Sequence, residues 1–94
     1  LQGKHAGRDF SLRFRGTVTV ALKEGIFDPQ GEAVRSSLVS MGYNRVSRVR
    51  MGKDIVLTLE AKDSAEAHAL LDDMARKLLA NPVTEFYRVK VEEA

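Results

Sequence analysis

The sequence predicts an α+β domain of order βαββαβ, with two helices over one face of a four-stranded antiparallel sheet. Three observations carry this reading. Period-two alternation opens and closes the region 12–91, two capped segments of helical period divide it, and turn residues separate the segments. A chain of 94 residues holds one domain, near the lower limit for an adequate core without covalent staples.

The first strand places Leu12, Phe14, Val18, Val20 and Leu22 on one parity and Arg13, Arg15, Thr17, Thr19 and Lys23 on the other. That is a half-buried strand. Gly16 sits on the apolar parity, so either the strand starts near Thr17 or another backbone approaches there. After Glu24-Gly25, Asp28 and Pro29 supply an N-cap and a first helical residue that needs no amide donor. Val34, Leu38 and Met41 then mark one helical face, and Gly42 caps its end.

Val46 to Met51 and Asp54 to Glu60 are β-rich runs flanking Gly52-Lys53, which reads as a hairpin turn. Its register stays open, since one loop residue more or less exchanges the faces. Asp63-Ser64-Ala65-Glu66 is a capping-box pattern. The helix it starts has a seam of Ala67, Leu71, Met74 and Leu78, flanked by Leu70 and Ala75, with Asp72, Asp73, Arg76 and Lys77 in solvent. Asn81-Pro82 ends that helix, and a last strand runs from Val83 to Val91 with Val83, Tyr87, Val89 and Val91 on one parity. The expected architecture is a ferredoxin-like sandwich. Its second sheet face keeps threonines, Ala21, Val56 and Phe86, a partly apolar surface suited to a partner.

Composition excludes several function classes. The chain has no cysteine, so it offers neither a disulfide framework nor a thiolate metal site, and it suits a reducing cytoplasm. No run of residues reaches the length of a membrane span. The formal charge of +2 is confined to residues 1–13, where Lys4, Arg8 and Arg13 face only Asp9; residues 14–94 are balanced. Nucleic acid is therefore a poor partner for the domain. Residues 1–12 read as a polar N-terminal extension or expression remnant, and residues 13–94 as the domain.

No catalytic, cofactor or metal constellation stands out. His5 and His68 have no companion ligands, and Ser36, Ser37 and Ser40 have no assigned base. Asp72-Asp73 diverge on a helix and read as a solvated pair. Arg45, Arg48, Arg50 and Lys53 form a basic cluster whose plainer role is protecting an edge strand. The run 54–60 has no aromatic ring for base stacking, and Gly52-Lys53 lacks the surroundings of a phosphate loop.

Three segments carry a resemblance. Leu22, Lys23, Gly25, Asp28, Pro29, Gln30 and Gly31 lead from strand to helix; Val49, Arg50, Gly52 and Lys53 follow; Lys77 to Pro82 then continue through Val83, Glu85 and Tyr87. In this order they resemble the PurS-type small subunit of phosphoribosylformylglycinamidine (FGAM) synthase over about Phe14 to Val91. The departures are Glu24, where the family commonly has proline, and the extension before Phe14.

The resemblance implies an assembly subunit of a ligase complex that converts formylglycinamide ribonucleotide to its amidine. Partner subunits use ATP and glutamine, and this chain holds no cofactor. Its implied partners are itself, as a homodimer or dimer of dimers, together with the large synthetase and glutaminase subunits. Under the same resemblance Asp28, Pro29, Gly31, Gly52, Asn81 and Pro82 are structural motif residues, and Lys23, Arg50 and Lys53 are candidate interface contacts. The residues alone leave two other classes open: a small-molecule-binding regulatory module of similar fold, or a nucleic-acid-binding module.

Overall fold

The computed structural model describes residues 11–94. Its elements are β1 (Leu12–Leu22), α1 (Pro29–Ser40), β2 (Gly52–Ala61), α2 (Ser64–Met74), a single π turn (Ala75–Leu79) and β3 (Glu85–Glu93). The sheet has three antiparallel strands in the order β2-β1-β3. β1 starts one residue before the expected domain boundary, so Leu12 belongs to the sheet, and residues 1–10 of the extension expected over 1–12 lie outside the described residues.

The core follows the alternation of β1. Phe14, Val18 and Val20 are buried on the face covered by α2, with Leu71, Ala67 and Ala75 packed above them. Register places Ile55, Leu57 and Leu59 of β2 and Tyr87, Val89 and Val91 of β3 beside them on that face. Gly16 proves to be neither a strand boundary nor a backbone crossing. A Cβ there would meet Leu71 Cδ1 at 2.2 Å, so the glycine makes room for a leucine side chain. The opposite face is uncovered, and Val56 and Phe86 are exposed on it.

Both helices start as their caps dictate. Asp28 accepts from Gly31 N and Asp63 from Glu66 N, each at 2.8 Å. Glu66 reaches back one residue farther than a standard box and accepts from Lys62 N. Gly42, at φ +104°, closes α1 in a Schellman arrangement in which Gly42 N donates to Val39 O and Tyr43 N to Leu38 O.

Three expectations are corrected. The four-stranded sheet has three strands, because Gly52, Lys53 and Asp54 do not turn; they pair with Ala21, Val20 and Thr19 of β1, and Gly52 lacks the positive φ that such a turn demands. Val46 to Met51 consequently joins no ladder among the described residues. α1 does not cover the sheet either. Only Gly31 of its residues is buried, and the radius of gyration is 18.6 Å where a compact chain of this length has about 12 Å. The helix and the returning segment 43–51 form an arm projecting from one end of the sheet.

The third correction concerns the end of α2. Leu78, expected on the apolar seam, is 82% exposed, while Leu79 packs against the core. The π turn holds more residues per turn than the α-helix and rotates the seam by about one position. Val83 lies outside β3 and is exposed, since that strand begins at Glu85. Asp72 and Asp73 are half-buried and engaged, Asp72 by Tyr87 Oη at 2.6 Å and Asp73 by Arg76 and Lys77. That hydrogen bond, aided by burial, raises the Tyr87 phenol above its usual value.

Candidate functional site: the junction between arm and sheet

The motif residues converge at the end of the sheet where β1 leaves and β2 enters. Asp28 is the centre of this junction, with 5% of its surface exposed. One carboxylate oxygen accepts from Gly31 N at 2.8 Å and the other from Met51 N at 2.7 Å. One side chain therefore caps α1 and ties the returning chain to the base of the helix. These two amide donors hold its pKa below the ordinary carboxylate value, burial opposes them, and Arg50 adds a smaller lowering.

Gly31 is required by what passes over it. A Cβ at this position would lie 2.2 Å from the carbonyl oxygen of Val49 and 3.0 Å from the Asp28 carboxylate. Pro29 occupies the first turn, where its missing donor costs nothing. Gly52 is also hemmed in, since a Cβ there would stand 2.8 Å from Val20 O.

The three candidate contact cations behave differently. Arg50 donates to two backbone carbonyls, Ile26 O at 2.8 Å and Lys23 O at 3.0 Å, so its guanidinium fastens the return segment to the β1–α1 connection. Lys23 donates from Nζ to Pro82 O at 2.8 Å, and its backbone N donates to Thr84 O. Both spend hydrogen-bonding capacity inside the chain. Lys53 lines an open depression of about 490 Å³ with Asp28, Gln30, Met51 and Glu85.

Asn81 and Pro82 form the neighbouring corner. Asn81 Oδ1 accepts from Val83 N, while Asn81 N donates to the Glu85 carboxylate at 2.7 Å. This Asx turn presents the Pro82 carbonyl to Lys23. All nine motif and interface candidates thus meet at one end of the sheet. Of the basic cluster, Arg48 pairs with Glu24 at 3.2 Å and Arg50 is bound to carbonyls, while Lys53 lies on the edge strand β2.

Sequence reasoning missed the Asp28 to Met51 link, the carbonyl acceptors of Arg50 and the Glu24–Arg48 pair. The only signal for the first was chemical, since a carboxylate capping with one oxygen keeps a second acceptor. Among the described residues, no three His, Cys, Asp or Glu side chains group as a metal site, and no helix is long and apolar enough to cross a membrane.

The model of the family described as PurS, phosphoribosylformylglycinamidine (FGAM) synthase, matches residues 15–93. The chain belongs to the PurS family. It is 49% identical over 80 residues to the phosphoribosylformylglycinamidine synthase subunit PurS of Bacillus subtilis, covering 85% of this chain and 94% of that one. Identity to the Synechocystis PurS subunit is 51% over 70 residues, 74% of this chain and 70% of the relative. A chain of the Thermotoga maritima PurLQS structure superimposes with a TM-score of 0.78 at 30% identity, covering 85% of this chain and 98% of that chain. The match includes most of β1 and all of α1, β2, α2 and β3, so the junction lies wholly within the PurS region.

Proposed function

We propose that this chain is the non-catalytic assembly subunit of phosphoribosylformylglycinamidine synthase in cytoplasmic purine biosynthesis. It forms a homodimer or a dimer of dimers, joins the large synthetase to the glutaminase subunit, and supports ammonia transfer between them. ATP and glutamine are consumed by those partners. Membership of the PurS family and the likeness to a chain of the PurLQS structure support this place in a multi-subunit assembly.

The geometry that carries the reading is the junction itself. Asp28, Lys23 and Arg50 are committed to amides and carbonyls of their own chain, which fixes the direction of the arm relative to the sheet. A rigid, shaped element serves docking; a reactive centre would keep its charged groups directed at a substrate. The exposed Leu78, Val83 and Phe86 beside the Asn81-Pro82 corner add an apolar contact region suited to a larger subunit.

Reconstitution tests the proposal. Glutamine-dependent amidine formation by the cognate synthetase and glutaminase chains should require this chain, whereas the reaction with supplied ammonia should suffer less, because free ammonia bypasses delivery between subunits. The isolated chain should neither hydrolyse glutamine nor turn over ATP. Lys53→Glu is the cleanest interface variant, since reversing Lys23 or Arg50 would also dismantle the junction. Equal glutamine-dependent rates with and without this chain would defeat the assignment.

A further inference from the structure

We infer that the outer edge of β3 takes an added strand from the synthetase subunit, an extended segment that alternates carboxylate and apolar side chains. This rests on the assembly reading above and names a surface that serves it. β3 ends the sheet, whose strand order is β2-β1-β3. Three bonds tell which of its backbone groups point outward. Lys23 N donates to Thr84 O and Ala94 N to Arg13 O, so the even-numbered residues of this strand bond to β1, whereas Glu85 N turns away and donates to Asn81 O. The amides and carbonyls of Tyr87, Val89 and Val91 therefore face outward, and among the described residues they have no backbone partner.

Such an edge invites pairing unless its side chains forbid it. No proline interrupts β3, and Tyr87, Val89 and Val91 put no charge on its core face. Arg88 and Lys90 stand exposed on the open face and enter no ion pair among the described residues, while Glu92 is taken by Arg15. Their neighbours on β1 are the uncharged Thr19 and Thr17. These two cations decide what can pair. A second copy in an antiparallel register centred on Arg88, Val89 or Lys90 would set Arg88 against itself, Arg88 against Lys90, or Lys90 against itself, and like charges at facing positions destabilise. A strand with carboxylates at those two positions meets opposite charge instead, and its residue between them faces Val89 on the apolar side.

An open cavity of about 310 Å³ adjoins the first residues of this edge, walled by Ala75, Ala80, Pro82, Phe86 and Tyr87. It receives the next apolar side chain of the added strand, at the position facing Tyr87. Main-chain bonds along an edge supply affinity, and pockets for alternate side chains supply selectivity. Pro82 and Phe86 also belong to the exposed corner suited to a larger subunit, so corner and edge form one continuous surface for the same partner.

Amide exchange in the unsubstituted chain is the first test. The cognate synthetase should slow exchange at Tyr87, Val89 and Val91 by roughly tenfold or more, and the glutaminase alone should not. In titration calorimetry, Arg88→Glu/Lys90→Glu should weaken synthetase binding by about tenfold or more. Val89→Pro removes one outward donor without touching the β1 ladder and should weaken binding too, whereas Val89→Ala keeps the donor and should bind as the parent does. Synthetase binding that leaves all three amides unprotected would overturn the edge assignment while the assembly reading stands; absence of binding would remove both. Protection combined with full affinity after charge reversal would overturn the carboxylate pattern. Protection that grows with the concentration of the isolated chain would give the edge to a second copy, and protection by the glutaminase alone would give it to that subunit, either result overturning the proposal.

Discussion

Replacing Gly31 with alanine sets two effects of opposite sign against each other. The residue lies in the first turn of α1 without a positive φ, so helix propensity alone favours alanine by about 1 kcal/mol. Against this, the new Cβ would sit 2.2 Å from the backbone carbonyl oxygen of Val49, where a carbon–oxygen contact needs roughly 3.3 Å or more. The return segment would have to retreat by about 1 Å. That displacement would stretch the 2.7 Å bond from Met51 N to Asp28 beyond hydrogen-bonding range. Because the obstacle is backbone, rotamer adjustment gives no relief, and overpacking of this kind costs about 1–3 kcal/mol.

The contact wins, with a net destabilisation of about 1–2 kcal/mol. For a domain of this size it lowers the thermal midpoint by about 5–15 °C, measured by far-ultraviolet circular dichroism at matched chain concentration. Ala33→Gly is the control. Ala33 is exposed on the same helix, so this variant should lose about 1 kcal/mol by propensity and thereby show that the melt senses α1. A Gly31→Ala protein melting at or above the parent, with the control lowered, would refute the close approach.

Three further outcomes are expected. Asp28 has a folded pKa below its unfolded value, so its stabilisation is complete above about pH 4 and is lost as pH falls through the lowered value; Asp28→Asn should flatten that acid limb of the stability curve, and parallel curves from pH 7 to 3 would contradict the assignment. Leu71→Ala empties a fully buried site and should cost about 3–5 kcal/mol by denaturant unfolding. Adding Gly16→Ala should recover part of that loss, because its Cβ falls where the Leu71 side chain stood; strictly additive losses would count against the pairing. Deleting residues 1–10 should leave the thermal midpoint and oligomeric state unchanged, and a marked drop in either would make that segment a structural arm.

Strand parity and helix caps were legible because their causes are local. Phe14, Val18 and Val20 alternate with Arg15, Thr17 and Thr19, and burial follows that alternation directly. Asp28-Pro29, Gly42 and Asp63 act within a turn of themselves, so their neighbours determine the outcome. The family, too, was legible, in three ordered motifs spanning most of the domain. The sequence likewise marked all nine residues of the junction without revealing that they meet.

Tertiary structure alone decided where segments with two good options went. Gly52-Lys53 suits a tight turn and a strand equally; pairing with Ala21 and Val20 settled it as strand, removed the hairpin and sent α1 away from its own sheet. Leu78 has a seam position in an α-helix, but the π turn shifted the winding and exposed it. Lys23 and Arg50 read as exposed contacts, since no local pattern reveals the carbonyls of Pro82 and Ile26 that hold them. The physical reason is common to these cases: periodicity and capping are determined within one turn or strand, whereas ladder choice, helix placement and the partners of long cations depend on residues brought together from distant parts of the chain.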